Sequence, residues 1–275
     1  MSHISTYTRK STAAALLLAA LCGCAGNLEP VVDGGSPLGF DARMEETKAT
    51  LKTGFADGDK FKVWAKMSGE STYLLDGTTV TKSGSAWSYT GASHLWKPDQ
   101  TITFVAHSPE TLTGNVTPNA NGITVSGYTL SQSLDLLLGY YSGTGVEGRA
   151  PLVFKHALAS LEFKLGEDAP GWVTGITKIS VTAPSVGNCI ADFSSGTSIV
   201  WSGQETDASV EQTLSGQSKS SGAVIGTPFL ELPKDGGSFT VSVTVSYSGG
   251  TETLPLTKSG VTLAPGKKNV IRATG

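Results

Sequence analysis

The sequence predicts an all-β protein: two tandem antiparallel β-sandwich domains behind a lipoprotein signal peptide. Three observations carry this reading. The chain has 34 glycines among 275 residues, and Gly and Ser punctuate short segments rich in Val, Thr, Ile and aromatics. In "SFTVSVTVSY", Ser238 to Tyr247, Phe239, Val241, Val243, Val245 and Tyr247 share one parity and Thr240, Ser242, Thr244 and Ser246 the other. That is a half-buried strand with one wet face. Helical signals are scarce. "ARMEETKATLK", Ala42 to Lys52, has helix formers but only Met44 and Leu51 as large apolar residues, so a strand or extended arm fits as well.

The first residues read as an export signal. Arg9 and Lys10 form a basic start and Ser11 to Leu21 an apolar stretch, too short to span a bilayer stably. "LCGC" places Leu21 three residues before and Gly23 directly before Cys24. This resembles the bacterial lipobox, in which the cysteine is diacylated; an ordinary cleaved signal followed by a free thiol is the alternative. Lipidation of Cys24 would hold a water-soluble domain at the outer membrane without a spanning helix. The expected division is 1–23 signal peptide, 24–38 tether, 39–152 first sandwich and 153–275 second sandwich. The tether, "AGNLEPVVDGGSPL" after the cysteine, is rich in Gly, Pro and acids.

Beyond Ser238–Tyr247, strands are expected at Lys60–Lys66, Ala86–Thr90, Thr101–His107, Gly122–Leu130, Ile176–Thr182, Ile199–Ser202, Ala223–Leu232 and Asn269–Ala273. "YSGGTE", Tyr247 to Glu252, reads as a hairpin turn. The join between sandwiches is expected at "APLVFKHALASLEFKLG", Ala150 to Gly166. Here Leu152, Phe154, His156 and Leu158 share one parity, and Leu161, Phe163 and Leu165 the other. A strand has a period of two, so the change of side requires a bulge or a helical turn near Ala157–Ser160. Phe154 and Leu158 would then enter one core, Phe163 and Leu165 the next, and His156 would be a hydrogen-bonded junction residue.

Loss of the signal removes Arg9 and Lys10 from the 20 basic residues and none of the 23 acids. The resulting excess of acid argues against non-specific nucleic-acid binding, which needs a basic face. Of the three cysteines, Cys22 leaves with the signal and Cys24 carries the expected lipid, so only Cys189 remains and neither a disulfide framework nor a Cys-rich metal site is expected. No cofactor is implied. "GTGVEG", Gly143 to Gly148, matches G-x-G-x-x-G, but "RAPLVF" follows rather than a helix, so it reads as a turn. His94, His107 and His156 lack metal-ligand spacing, and "ADGDK", Ala56 to Lys60, reads as a solvated turn rather than a calcium loop. Trp87, Tyr89 and Trp96 suit either a sugar-stacking platform or core filling. No nucleophile elbow, Walker loop or zinc-protease motif occurs, so no catalytic residue is assigned.

Several segments together resemble a family. They are "TKATLKTGFADGDKFKVWA" (Thr47 to Ala65), "AWSYTGASHLWKPDQTITFVAHSPE" (Ala86 to Glu110), "LDLLLG" (Leu134 to Gly139), "APLVFKHALASLEFKL" (Ala150 to Leu165) and "LAPGKKNVIRATG" (Leu263 to Gly275). Their order and spacing resemble the fimbrillin-like, or Mfa-like, lipoproteins of Bacteroidales that build type V pili. The family's Thr-Arg-Ala is Thr47-Lys48-Ala49 here, and its tyrosine after the final Pro-Gly-Lys is absent. The resemblance implies transthyretin-like sandwiches and assembly by strand exchange. A trypsin-like protease would remove the N-terminal strand after Arg43 or Lys48, and a strand from another subunit would fill the groove. The donor would lie near the C-terminus, with Val261 and Leu263, or Val270, as inserting residues. The expected function is a structural or accessory pilus subunit serving adhesion, located in the fimbrium or anchored at the cell surface, with other subunits as partners. The alternative is a stand-alone surface lipoprotein that binds glycan or host protein; exposed, clustered Trp87 and Trp96 would favour it.

Overall fold

The computed structural model of the chain describes residues 35–45, 52–145 and 148–273. These residues form twenty strands and no helix. The first thirteen are β1 (Ser36–Pro37), β2 (Gly39–Phe40), β3 (Arg43–Met44), β4 (Lys60–Met67), β5 (Leu75–Ser83), β6 (Ala86–Tyr89), β7 (Leu95–Trp96), β8 (Thr101–Ser108), β9 (Asn115–Asn119), β10 (Gly122–Thr129), β11 (Leu137–Thr144), β12 (Arg149–Ala150) and β13 (Val153–His156). The rest are β14 (Ala159–Leu165), β15 (Gly175–Asp192), β16 (Ser198–Thr213), β17 (Val224–Glu231), β18 (Lys234–Tyr247), β19 (Gly250–Leu263) and β20 (Lys268–Ala273). No helix among the described residues is long and apolar enough to cross a membrane.

A seven-stranded sheet runs in the order β3-β13-β11-β8-β4-β5-β6. Both faces of its central strands are covered, so β4 and β8 carry continuous buried runs, Val63 to Ala65 and Phe104 to Ser108, rather than alternations. Phe61, Val63, Ile102, Phe104, Leu137 and Phe154 face a first core. Trp64, Val105 and Leu138, their neighbours in sequence, face a different cluster on the other side. Opposite that second face lies one end of a six-stranded sheet, β19-β18-β15-β10-β9 with β16 alongside β15. Its Ile123, Val125, Cys189 and Ala191 fill this middle cluster. The other end of the same sheet packs on a three-stranded sheet, β17-β14-β20, around Leu161, Phe163, Ile179, Phe229, Val241 and Val243.

The strand β15 joins the two regions. Its residues 175–182 pair with β18 and its residues 186–192 with β10, while β16 pairs along its other side. The expected strands Ile176–Thr182 and Ile199–Ser202 are therefore the visible parts of a much longer hairpin.

The change of side in "HALAS" is a two-residue break, Ala157–Leu158, with a bend at Leu158. It is neither a helical turn nor a bulge within one ladder. Leu152 and Phe154 enter the first core as expected, but Leu158 does not follow them. It enters the middle cluster with Ala157. From Ala159 onward the odd-numbered residues Ala159, Leu161 and Phe163 face the last core. The segment thus serves three clusters where two were expected, because the seven-stranded sheet buries both faces. The break is held by its backbone: Ala157 N–H donates to Leu136 O at 2.8 Å, and Trp201 Nε1–H donates to Ala157 O at 2.7 Å. Nearby, the Gln132 amide donates to Leu230 O and accepts from Leu230 N–H at 2.7 and 2.8 Å, as a strand would.

His156 is buried and its Nδ1 lies 2.5 Å from Asp135 Oδ2, which is the junction role expected of it. His107 Nδ1 lies 2.8 Å from Pro109 O, and burial pushes its pKa down to about 4, so it is neutral at neutral pH. No grouping of His, Cys, Asp and Glu suited to a metal occurs among the described residues. Burial pushes the Cys189 thiol up to about 12, which leaves it unreactive.

Glu231, at the end of β17, is also buried, and burial pushes its carboxyl from 4.5 up to about 8. The folded state holds this proton more tightly than the unfolded chain. Its stabilising contribution is therefore full below the unfolded value and is lost as pH rises toward the folded one. Glu231→Gln is expected to leave urea stability unchanged near pH 4 and raise it at pH 8.5, by on the order of 2–4 kcal/mol. Parallel urea titrations at the two pH values measure the difference.

Candidate functional site

The first described residues form a strand that the rest of the chain is shaped to receive. In "LGFDARM" every second residue is apolar: Leu38, Phe40, Ala42 and Met44. Leu38, Phe40 and Met44 are 6%, 0% and 7% exposed, and Ala42 packs against the same core. Asp41, Arg43 and Glu45, on the other parity, are exposed. This is the two-residue period of a strand with one buried face.

The strand lies parallel to an edge formed much later in the chain. β2 pairs β12, with Phe40 opposite Ala150, and β3 pairs β13, with Met44 opposite Phe154. The N–H groups of Gly39, Asp41, Arg43 and Glu45 donate in turn to the carbonyls of Gly148, Ala150, Leu152 and Phe154 at 2.8–3.0 Å. Arg149 Nη2 donates to Phe40 O at 2.7 Å. β1 closes the entrance by pairing antiparallel with β7, Ser36 opposite Trp96. The fit there is close: Gly148 has a φ of +68°, and a β-carbon on it would sit 2.3 Å from Ser36 Cβ.

The Phe40 ring is the plug. It meets Phe61, Tyr89 and Phe104 edge-on, with centroids 5.6, 6.0 and 6.0 Å away. At the far end of the strand, Lys155 Nζ lies 2.9 Å from Glu45 Oε1. Leu38 had been expected in the tether by its Gly- and Pro-rich surroundings; it is a core residue of this strand.

The other predicted site residues are placed as follows. Arg43 has an exposed side chain, but its backbone is bonded into the edge. Lys48 and Cys24 lie outside the described residues. Val261 and Leu263, at the end of β19, face the last core; Leu263 is buried and Val261 half-buried. Val270 does not face that core. It is 44% exposed, while Ile271 packs inward. The register explains this: β20 runs parallel to β14 with Ile271 opposite Phe163, so odd-numbered residues face the core and Val270 and Arg272 face outward.

β20 is an edge strand with a partner on one side only. Lys268 Nζ lies 2.5 Å from Glu162 Oε2, and this pairing holds the Glu162 carboxyl below its usual range. Asn269 Nδ2 is buried without a hydrogen-bond partner. Beside β20 a cavity of about 460 Å³ opens between the sheets, lined by Leu165, Trp172, Val243, Leu254 and Ala273 among others.

The aromatic residues that suited a sugar platform are internal. Trp87 packs on Phe55 and Phe61. Trp96 is fully buried and donates from Nε1 to Gln100 O at 2.8 Å. "ADGDK" is a turn in which Ala56 N–H bonds Asp59 Oδ2 and Lys52 pairs with the same oxygen.

The family model described as fimbrillin-like matches residues 47–274. Among solved structures, the chain is similar to a candidate cell adhesion protein of Bacteroides ovatus, at 12% identity, covering 86% of this chain and 93% of that one with a TM-score of 0.56. It is also similar to a fimbrial protein of Bacteroides vulgatus, at 19% identity, 85% and 93% coverage and a TM-score of 0.48. A third is the fimbrial anchor protein Mfa2 of Porphyromonas gingivalis, at 12% identity, 80% and 82% coverage and a TM-score of 0.38. No curated protein matches the chain.

Phe40→Ala empties the middle of the groove without disturbing its rim. It is expected to cost about 3–5 kcal/mol, whereas Asp41→Ala, on the exposed parity, should stay within about 0.5 kcal/mol of the parent. Urea unfolding of both variants makes the comparison.

Proposed function

The chain belongs to the fimbrillin-like family, and on that premise we propose that it is a structural or accessory subunit of a cell-surface pilus serving adhesion. The observation that carries this reading is the separable strand at residues 36–45. It contributes the plug of the first core yet is joined to its edge by hydrogen bonds, packing and the Lys155–Glu45 pair, with no tight turn between them. In this reading a trypsin-like protease removes it and a strand of another subunit takes its place by β-augmentation.

The energetics favour replacement over an empty groove. Exposing Leu38, Phe40 and Met44 forfeits roughly 1.5–3 kcal/mol per side chain, and the edge carbonyls lose their donors as well. An emptied subunit is therefore a strong acceptor. The two candidate cleavage positions differ in effect. A cut after Arg43 leaves Met44 and Glu45 attached to the mature chain, and the Arg43 N–H is engaged by Leu152 O. A cut after Lys48 frees all four apolar residues of the strand, so we favour Lys48.

Donor segments are proposed at the C-terminal end, in β19 with Val261 and Leu263 or in β20. For β20 the inward set Ile271 and Ala273 replaces Val270 as the inserting residues. The chain is further proposed to divide into two sandwiches at about residues 39–152 and 153–275, and to reach the outer membrane through a lipid on Cys24 before any cleavage. Whether the mature subunit keeps that lipid decides between an anchoring and a stalk or tip position.

The test is made in the native host with Arg43→Ala, Lys48→Ala and the double variant. Sheared surface material is run on a denaturing gel without boiling, and the mature N-termini are sequenced. The parent is expected to give a ladder that collapses on boiling. The double variant should keep its N-terminal strand and lose the ladder. Unchanged N-termini in the double variant would count against processing at these residues.

A further inference from the structure

The far end of the groove is electrically incomplete without its occupant. A cavity of about 420 Å³ opens there, lined by Glu45, Lys155, His156, Ser198, Gly266 and Lys267 among others. Glu45 is the only carboxylate among its described lining residues. It pairs with Lys155 at 2.9 Å. Asp135, which reaches the cavity's His156 from behind, pairs with that ring through Oδ2. Lys267 contributes a second cation from the turn before β20.

Glu45 belongs to the strand; Lys155 and Lys267 belong to the body. When the strand leaves, the negative charge leaves with it and both cations stay. The emptied groove then has an apolar floor at one end and a cationic pocket at the other. From this asymmetry we propose that Lys155 selects and registers the incoming strand by binding a carboxylate one residue beyond its last inserted apolar side chain. The inference rests on the strand-replacement reading and names the chemistry of its partner: a β-segment of a different subunit with alternating apolar residues followed by an acid, since Ala264 follows Leu263 and Arg272 follows Ile271 in this chain's own candidate donors.

The geometry defines where that acid must lie. Met44 is the last inward residue and Glu45 N–H still bonds Phe154 O. A strand running parallel, as the present occupant does, reaches Lys155 only when its acid follows the final apolar residue directly. A one-residue slip moves the acid away and turns the apolar set outward. Packing alone sets the parity; the charge distinguishes registers two residues apart. The carboxylate can be an Asp or Glu side chain or the α-carboxylate of a strand that ends there.

The pair is partly solvated, with Lys155 and Glu45 side chains 27% and 44% exposed, so its effect is moderate. The full chain is prepared with a site-specific protease sequence in place of residues 46–51 and cut, so that residues 36–45 can exchange. Fluorescent peptides of residues 36–45 are then titrated at low salt: the parent, Glu45→Gln, and two peptides ending at Met44, one a free acid and one an amide. The parent is expected to bind about threefold to fivefold more tightly than Glu45→Gln. The preference should vanish in Lys155→Gln, and in about 0.5 M salt, while affinity for the Glu45→Gln peptide is unchanged. A similar gap between free acid and amide would add a terminal carboxylate as a ligand; no gap there would restrict the site to side-chain acids. Equal binding of parent and Glu45→Gln peptides overturns the proposal and leaves strand replacement standing. So does a preference that survives in Lys155→Gln. Failure of every peptide to exchange overturns both.

Discussion

The edge running from Gly148 to Phe154 cannot be left bare. Its outward carbonyls recur at every second residue, and behind them lies a cluster of aromatic rings that the Phe40 ring completes. Unpaired backbone and exposed rings are each unfavourable in water, and here they coincide along one line. Everything in the first core presupposes that some strand lies there. The strand that does so comes first in the chain and pairs in parallel with residues more than a hundred positions later. Parallel neighbours cannot be joined by a tight turn. No tight hairpin therefore ties the strand to the edge it covers; only side-by-side pairing and packing hold the two together.

The middle cluster ties the two outer cores together. Trp201 reaches from β16 to the backbone of Ala157, and Gln132 reaches from the loop after β10 to both polar atoms of Leu230. These contacts are backbone-directed, so they fix the path of the chain rather than the identity of one side chain. They also explain why the break at Ala157–Leu158 needs only two residues. Its N–H and its carbonyl are each satisfied from a different element, and no local turn is required.

How much of this was legible in the sequence depends on how many faces a strand buries. The strand at Ser238–Tyr247 has one wet face, and its alternation gave it away. "KVWA" and "FVAH" were legible as strands, but not in their facing, because both faces are buried and the period disappears. The full length of β16 was hidden for the opposite reason: it is an edge strand rich in Ser, Thr, Glu and Asp, with little apolar signal on either side. In the groove, the alternation Leu38, Phe40, Ala42, Met44 was present in the residues. It was masked by Gly, Pro and acids that resemble a tether, and its partner edge is visible only once the chain is folded. In β20 the sequence likewise showed parity but not direction: Ile271 packs inward and Val270 faces outward because the parallel register with β14 sets which side meets the core.

β15 is the longest strand among the described residues and spans both packed regions. At about 3.3 Å per residue its eighteen residues extend for roughly 60 Å, and they cross from one packed region to the other without a break in the backbone. β18 grips one end and β10 the other, on the same side, while β16 runs beside them both. Tension applied between the two regions is therefore carried along a covalent rod clamped in shear by long ladders, not through the short bend at Leu158. Pulling along the axis of β15 would load its ladders with β18, β10 and β16 in shear, so that many hydrogen bonds would have to break together rather than one after another.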